Sequence, residues 1–407
     1  MKPVGPIPPE FAAALPLIAG RPAAAWVEGR DTPVFVYDLA VVRARVARLR
    51  AALPEGVAVH YAVKANPFPP LVQALAELTD GLDVASAGEL ALALDFRAGT
   101  AISFAGPGKR DAELEAAIRA GATINLESEG EADRALATAS RIGLGPRLAL
   151  RVNPPFELRG SGMRMGGRAS PFGVDAERAG ALARRVIAAG ADWRGWHIFA
   201  GSQSLDTAAI IETQGASLVL AERLSEEAGG APPLVNLGGG FGIPYFAGDT
   251  PIDVGAIGAA LGEAIGRASL PGTRFALELG RWLVGEAGVY LARVIDRKES
   301  GGETFLVTDG GMHHQLAASG NLGAAVRRNY PVAIPSAPAD APPEVVSIVG
   351  PLCTPLDRLA DRVALPRAGA GDVVAVFAAG AYGLTASPTG FLGHPLAAEI
   401  LVDQPSA

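Results

Sequence analysis

Short apolar runs alternate with longer amphipathic stretches from about residue 55 to about residue 280. The apolar runs are rich in Val, Ile, Leu and Ala, as in strands that are buried on both faces. Eight runs qualify as strands: Val57–Val63, Leu82–Ala85, Ala101–Ala105, Ala122–Leu126, Arg147–Val152, Gly195–Ala200, Leu234–Leu237 and Arg274–Leu277. The stretches between them have helical periodicity, and several end at a glycine, as helices commonly do. They include Asp111–Ala120, Asp175–Ala189, Thr207–Ala228 and Asp253–Ser269, with Gly121, Gly190 and Gly229 as end signals.

Eight strand–helix alternations predict a closed parallel (β/α)8 barrel, an α/β fold of the TIM type, because parallel strands need crossover helices. An open doubly wound sheet is the alternative. After Arg281 the pattern becomes all-β. Val289–Asp296 and Thr304–Asp309 predict a hairpin around a turn at Lys298–Gly302, and Val345–Val349 and Asp372–Ala378 continue it. We predict a barrel at 41–284 and a β-barrel-like domain from 1–40 and 285–407, with Pro33–Tyr37 contributing a strand.

Composition narrows the class of protein. The chain has 407 residues, of which 49% are apolar and 19% charged, as in a well-buried globular protein. A net charge of −7 without a basic run argues against a nucleic-acid partner. The single cysteine, Cys353, excludes an internal disulfide framework. We find no membrane-spanning segment, and the proline-rich start does not read as a signal peptide, so we expect a cytoplasmic protein.

Polar residues fall where the predicted strands end, which is the end of a barrel that carries its active site. They are Lys64, Asp83 with Ser86, Arg151, His197, Gly238–Gly242, and Glu278 with Arg281. Lys64 is unusual because the chain has four lysines against 31 arginines. On one face with Ala58, His60 and Ala62, a buried Lys64 amine would have a lowered pKa and could form a Schiff base. A strand-end lysine reaching solvent is the ordinary alternative.

The remaining strand-end residues complete a recognisable chemistry. Gly238–Gly240 could point backbone amides at a phosphate, with Arg281 beside them, although a tight turn would also explain the glycines. Glu278 needs a partner if it is buried, either a protonated ring nitrogen or a structural arginine. His197 could be a satisfied core histidine or a flat group against a ring. Together these features describe a pyridoxal 5'-phosphate site.

Seven motifs give the chain a resemblance to a known family. They are Tyr61-Ala-Val-Lys64-Ala-Asn66, Leu82-Asp83-Val-Ala-Ser86, His197 with Gly201-Ser202, Gly238-Gly-Gly-Phe-Gly242, Glu278-Leu-Gly-Arg281, Gly350-Pro-Leu-Cys353 and Ala381-Tyr382-Gly383. From about residue 30 to about residue 395 the chain resembles the fold-type III pyridoxal-phosphate decarboxylases. These include the diaminopimelate, ornithine and arginine decarboxylases, which share the alanine-racemase-like barrel. The resemblance implies a homodimer with two shared active sites.

The resemblance also implies roles for individual residues. Lys64 would hold the cofactor as a Schiff base, and decarboxylation would pass through a quinonoid intermediate. His197 would stack on the pyridine ring and Glu278 would keep its nitrogen protonated. Cofactor contacts are further expected from Asp83, Ser202, Gly238, Gly239, Gly240, Gly280, Arg281 and Tyr382. Cys353 would protonate the carbanion from a second subunit, and Arg151, Thr354 and Asp357 would lie near the substrate.

One position departs from the family pattern. Members that act on basic amino acids have an acidic residue directly after the cysteine, whereas this chain has Thr354. A neutral hydroxyl cannot balance a desolvated ammonium. The stretch Asp309–Asn321 also lacks the arginine and tyrosine with which diaminopimelate enzymes grip the distal carboxylate; we interpret its His313 and His314 as polar loop residues and not metal ligands. This stretch and Arg327–Pro331 are more similar to exosortase-associated and carrier-linked members. We therefore expect a substrate without a free distal ammonium, either a small molecule or an amino acid tethered to an acyl-carrier protein.

Three other functions stay open from the sequence. The chain could be a diaminopimelate decarboxylase proper. It could be an amino-acid racemase, although that reaction needs a tyrosine base opposite the lysine. It could also be a non-catalytic, decarboxylase-like regulator, which would be expected to have lost Lys64, the glycine loop or Cys353. Nucleotide binding by Gly238–Gly242 is excluded because no Gly-Lys-Ser/Thr follows.

Overall fold

The computed structural model describes residues 1–12, 16–164, 166–320, 327–337 and 341–403. The chain divides into two compact units. The barrel unit consists of Val46–Gly242 and Ile252–Gly280, and the β unit consists of Met1–Arg45, Ile243–Pro251 and Arg281–Ala407. The segment Ile243–Pro251, which lies inside the predicted barrel boundaries, therefore belongs to the β unit.

The barrel unit is built on eight parallel strands that close on themselves. They are β1 Val57–Ala62, β2 Gly81–Val84, β3 Ile102–Phe104, β4 Thr123–Leu126, β5 Arg147–Asn153, β6 Asp192–Ile198, β7 Leu234–Asn236 and β8 Arg274–Leu279. Each strand pairs with the next, and closure comes from β8 against β1, where Glu278 lies opposite His60. The predicted barrel is confirmed and the open sheet is wrong.

Helices follow the strands and cover the outside of the barrel. They are Pro69–Leu78, Ala87–Leu94, Asp111–Ala120, Glu129–Ile142, Ala176–Ala188, Thr207–Ala228 and Val254–Arg267, and Leu39–Ala52 precedes β1. Short polar residues begin several of them: Ser86 and Ser128 each accept a hydrogen bond from the amide three residues on. The short strands Met163–Arg164 and Gly201–Ser202 pair with each other, and Val174–Asp175 extends the sheet beside β5.

Strand β6 starts three residues earlier than the sequence predicted, at Asp192 instead of Gly195. The pairing of β6 with β5 shifts register between Trp193 and Gly195. Gly195 has φ +108°, and a Cβ there would meet the Leu234 carbonyl oxygen at 1.9 Å. This bulge lets the strand run through the glycine instead of beginning at it.

The β unit is organised around one long strand, Gly288–Ser300, which pairs antiparallel with Val34–Asp38, Glu303–Thr308 and Val373–Val376. Further strands are Leu17–Ile18, Arg21–Pro22, Val332–Ala333, Pro343–Val349, Arg358–Pro366 and Ala398–Val402, and the short helix Arg281–Val284 lies in the same unit. The predicted strand at Pro33–Tyr37 is confirmed. The predicted turn was too long, because the strand continues to Ser300 and Gly301-Gly302 alone turn the chain, both with positive φ.

No helix in the described part of the chain combines the length and apolar character needed to cross a bilayer.

Candidate active site

Three side chains at the carboxyl ends of the barrel strands form a charged cluster. Glu278, near the end of β8, has one oxygen 3.1 Å from Lys64 Nζ and the other 3.0 Å from His197 Nε2. The Glu278 and His197 side chains are 4% and 3% exposed, and the Lys64 side chain is 46% exposed. A buried carboxylate therefore faces an accessible amine on one side and an imidazole on the other.

The local backbone explains why Lys64 is more exposed than expected. Strand β1 ends at Ala62, and Val63–Ala65 form a 3₁₀ turn that carries Lys64 away from the inward-facing row. The prediction that Lys64 shares a face with Ala58, His60 and Ala62 is wrong, because the strand alternation stops two residues before it. The Lys64 side chain is thus exposed while its amine donates to Glu278.

The electrostatics of the cluster keep Glu278 ionised. Burial alone would raise the pKa of this carboxyl, but Lys64 and His197 outweigh burial and hold the pKa well below its ordinary value. The contact between His197 and Glu278 is electrostatic, since it lacks the alignment of a hydrogen bond. A second pair lies beside it, with His60 Nδ1 3.3 Å from Asp83 Oδ2. Burial opposes the charge on His60, yet Asp83 raises its pKa.

The glycine run after β7 is held against the strand that carries Glu278. Glu278 N donates to the Gly238 carbonyl oxygen at 2.8 Å, and Gly238 N donates to Asn236 Oδ1 at 2.9 Å. A Cβ on Gly239 would meet the Glu278 carbonyl oxygen at 2.0 Å, and one on Gly240 would meet the Gly201 carbonyl oxygen at 2.4 Å. These contacts require glycine, so the run is more than a plain tight turn. Gly280 directly follows β8, and the half-buried Ser202 directly follows Gly201.

Arg151, at the end of β5, is held by a residue that the sequence analysis missed. Arg151 donates to Glu127 at 3.0 Å, and Glu127 also accepts from the Gly173 amide at 3.0 Å. The guanidinium lies 5.9 Å from the Phe199 ring, and Lys64 Nζ lies 5.8 Å from the same ring. Glu127 directly follows β4, so the rule that selected the other strand-end residues would also have selected it.

In the β unit, Arg281 lies within a cluster of tyrosines. Arg281 directly follows Gly280, donates to Tyr245 Oη at 2.8 Å, and has its guanidinium 4.6 Å from the Tyr382 ring. Tyr245 stacks on Tyr330 with 4.6 Å between ring centroids. Burial raises the pKa of Tyr245 although Arg281 opposes it, which keeps the phenol protonated. The sequence analysis did not select Tyr245. It included Tyr330 only as part of the stretch Arg327–Pro331.

The loop that carries Cys353 is fixed by Asp357. Cys353 is exposed, whereas Asp357 is buried and accepts hydrogen bonds from the amides of Met312 at 2.6 Å and Leu352 at 2.9 Å. Burial raises the pKa of Asp357, and the two amides oppose that rise. Thr354 Oγ1 accepts from Leu356 N at 3.3 Å. Asp357 thus uses both oxygens within its own chain, which differs from the substrate contact that the resemblance implied.

His313 and His314 lie in a loop, as predicted, and both are buried. Their ring centroids are 3.8 Å apart. Burial and the neighbouring His314 lower the pKa of His313 to about 4. Among the described residues, no group of histidine, cysteine or carboxylate side chains could hold a metal ion. Asn321, the last residue of that stretch, lies outside the described residues.

The barrel unit has the groups that pyridoxal phosphate requires. Lys64 offers an accessible amine, and Gly239 and Gly240 leave backbone surface that a Cβ would fill. His197 Nδ1 is buried without a hydrogen-bond partner in the described chain, and the buried pair of His197 Nε2 and Glu278 Oε2, 3.0 Å apart, lacks hydrogen-bond alignment. A polar aromatic ring would give such groups a partner. These residues fit the cofactor.

Comparison with known proteins agrees with this fit. The family model for the pyridoxal-binding domain of pyridoxal-dependent decarboxylases matches residues 39–285. The L-glutamyl-[BtrI acyl-carrier protein] decarboxylase of Niallia circulans is 38% identical over 91% of this chain and 89% of that protein. The diaminopimelate decarboxylase of Aquifex aeolicus is 32% identical over 92% and 87%.

A solved structure supports the same relationship. The crystal structure of the M. jannaschii diaminopimelate decarboxylase in complex with L-lysine has a TM-score of 0.85 and 27% sequence identity, and the match covers 97% of this chain and 92% of that one. The resemblance of the seven motifs, the alanine-racemase-like fold and these matches lead to one conclusion. The chain belongs to the pyridoxal-dependent decarboxylases, and its cofactor is pyridoxal phosphate.

Proposed function

We propose that this decarboxylase acts on an amino acid whose distal end is not a free ammonium, and that a glutamyl group tethered to an acyl-carrier protein is the leading candidate. The observation that carries the proposal is Thr354, which follows Cys353 where family members that act on basic amino acids have an acid. Without that carboxylate, a desolvated ammonium would have no counter-charge at this position. The Niallia circulans relative, named for a carrier-bound glutamyl substrate, supports the same choice.

When bound, pyridoxal phosphate supplies an electron sink for the electron pair left by the departing carbon dioxide. Lys64 would hold the cofactor covalently through its amine. Glu278, kept ionised by Lys64 and His197, would hold a proton on the ring nitrogen. His197 would stack against the ring, and Asp83 would lie near it. In this assignment the His60–Asp83 pair is a supporting contact.

We assign phosphate binding to backbone amides and to cationic and hydroxyl side chains, each residue on its own chemistry. Gly238, Gly239 and Gly240 would present backbone amides to the phosphate. Gly280 and Ser202 would be further cofactor contacts. Arg281 would add a charge-assisted hydrogen bond. Tyr382, whose ring contacts the Arg281 guanidinium, would add a hydroxyl.

Cys353 would donate the proton that replaces the lost carboxylate. Cys353 is exposed in the described chain, as a residue that must reach a substrate has to be. We assign Arg151 and Thr354 to substrate contact. Asp357 holds the loop that carries Cys353. A direct contact of Asp357 with substrate, which the resemblance implied, would be a second role of this residue.

The first experiment measures carbon dioxide release with added cofactor from glutamate, ornithine, lysine, diaminopimelate and a carrier-tethered glutamyl thioester. Lys64→Ala should abolish turnover, whereas the control Lys298→Ala, which removes an exposed lysine, should not. Turnover of the tethered thioester far above that of the free amino acids is the expected result. Turnover of diaminopimelate or ornithine at ordinary enzymatic rates would contradict the proposal and favour the second candidate, diaminopimelate decarboxylase, which the Aquifex aeolicus relative supports.

The Thr354 argument has its own test. Thr354→Glu restores an acid after Cys353 and should raise the KM for the tethered glutamyl thioester, because the distal end of that substrate is neutral and offers the new carboxylate no counter-charge when both are desolvated. It should also raise the relative turnover of ornithine. Thr389→Glu, a substitution of another threonine in the β unit, serves as the control. Equal effects of the two substitutions would remove Thr354 from substrate recognition.

We further propose a homodimer in which Cys353 of one subunit serves the site of the other. Mixing Lys64→Ala with Cys353→Ala under subunit exchange should restore about a quarter of the wild-type activity, since half of the random pairs are hybrids with one intact site. If the mixture stays inactive while the subunits exchange, the sites are not shared.

A further inference from the structure

A cavity of about 590 Å³ lies at the amino-terminal end of the barrel, opposite the strand ends that carry the charged cluster. Its wall includes residues that begin the strands: Val57, Ile102, Thr123, Arg147, Leu234 and Arg274. The next layer has short side chains at Ala58, Ser103 and Ala149, which leave this part of the lumen open. A cavity of this volume is in the range of sites for small ligands.

Arginines dominate the charge of this cavity. It is lined by Arg50, Arg147, Arg194 and Arg274, with Asp80 as the carboxylate among the lining residues. Asp80 is already used, since it lies 2.6 Å from Arg50 and also accepts from the Val59 amide. The other three arginines therefore have little left to balance them.

A further carboxylate at these arginines is Asp192, which begins β6 and is half exposed. Arg147 and Arg194 share Asp192 at 3.7 and 3.5 Å. Within the described ranges, Arg274 has no carboxylate at ion-pair distance. Three guanidinium groups thus face one solvent-exposed acid in a protein whose net charge is −7.

Arg147 shows that the positive charge is not fully compensated. Its side chain is 17% exposed, its Nε lies 3.7 Å from Asp192 Oδ2 without forming a hydrogen bond, and its Nη2 donates to the Thr100 carbonyl oxygen at 3.4 Å. Burial and the neighbouring Arg194 lower the pKa of Arg147, against the opposing effect of Asp192. Because a guanidinium stays charged in proteins at physiological pH, this cluster keeps an excess of positive charge.

Neutral polar groups complete the lining. Asn125 donates to Ser103 Oγ at 2.7 Å, and Asn236 uses its Oδ1 to accept from Gly238, which leaves its NH₂ donors. We propose that the amino-terminal end of the barrel binds a small multivalent oxyanion of the phosphate or polycarboxylate class. The arginine forks match such oxygens.

The test uses the holoenzyme, so that the cofactor already fills its own phosphate subsite. Isothermal titration at constant ionic strength measures binding of pyrophosphate and, separately, of citrate. We expect one saturable site per chain. Arg147→Gln and Arg274→Gln should each weaken binding about tenfold or more. The anion that binds more tightly shows whether the site prefers the phosphate class or the polycarboxylate class. The control is Arg267→Gln, which removes the same charge from an exposed residue of an outer helix.

Three results would overturn the proposal. One is the lack of saturable binding of either anion, and another is an equal loss of affinity in Arg267→Gln. The third is loss of the visible absorbance of the bound cofactor during titration, which would place the anion in the cofactor site. Arg274 is exposed, so Arg274→Gln remains a folded test even if Arg147→Gln does not fold.

Discussion

The barrel unit and the β unit hold their reactive side chains in different ways. In the barrel unit, Glu278 meets Lys64 and His197 through side chains, at 3.1 and 3.0 Å. In the β unit, Cys353 is exposed, and Asp357 fixes its loop through backbone amides. Pairing between side chains in the barrel unit determines which of them are ionised. Anchoring of the backbone in the β unit fixes the position of the Cys353 loop and leaves Cys353 exposed. Substitutions in the two units should therefore fail in different ways.

The largest effect is expected from removing the thiol itself. Cys353→Ala should lower kcat by about 10²–10⁴-fold, the usual contribution of a positioned proton donor. Because Cys353 is the single cysteine and is exposed, alkylation with iodoacetamide should reproduce the loss, and the denaturation midpoint should not change. An alkylated enzyme that keeps its full rate would remove Cys353 from the reaction.

Loss of the buried carboxylate should be the next largest effect. Glu278→Gln should lower kcat by about 10²–10³-fold, as is typical when one preorganised electrostatic group is removed. The comparison enzyme is Glu263→Gln, in which the substituted glutamate is exposed on a helix. If Glu278→Gln keeps its cofactor spectrum and its rate, the charge that Lys64 and His197 stabilise has no catalytic role.

Breaking the anchor should give a mixed effect. Asp357→Asn can no longer accept from both amides as a carboxylate, so the free energy of unfolding should fall by about 1–3 kcal/mol. The rate should fall about tenfold or more through misplacement of the thiol. Asp296→Asn, at an exposed position in the same unit, is the control. A drop in rate with unchanged stability would instead favour the direct substrate contact that the resemblance implied.

The smallest effect is a pH dependence of stability. The pKa of Glu278 in the folded protein lies well below its ordinary value of 4.5, so its ionised form stabilises the fold above about pH 4.5. That contribution is lost as the pH falls through the folded pKa. The difference in free energy of unfolding between the wild type and Glu278→Gln should shrink on acidification. Urea denaturation from pH 7 down to pH 3 measures it, with the change expected below about pH 4.5, and a difference that stays constant over that range would contradict the assigned pairing.

Local patterns were sufficient to predict the barrel and most of its site. Apolar runs and glycine ends identify strands and helices because burial and capping are local, and the carboxyl ends of parallel strands must converge. The 3₁₀ turn that carries Lys64 was not predictable, because nothing in the residues after Ala62 marks it, although a strand-end lysine reaching solvent was one of the two alternatives. The anchoring by Asp357 depends on contacts with Met312, 45 residues away in the chain. The burial of His313 is likewise set by tertiary packing that no local pattern records.

The contact between Gly238 and Glu278 has a consequence for how new specificities arise in such an enzyme. The amide of Glu278 and the Gly238 carbonyl are joined backbone to backbone, and Gly239 has no room for a side chain. The spacing between the glycine loop and the acid therefore survives substitution of almost any surrounding side chain. Thr354, which follows Cys353 and is half-buried, is not a position where only glycine fits. If Thr354 contacts the substrate as proposed, substitutions there can change the substrate while the backbone spacing between the glycine loop and Glu278 is kept.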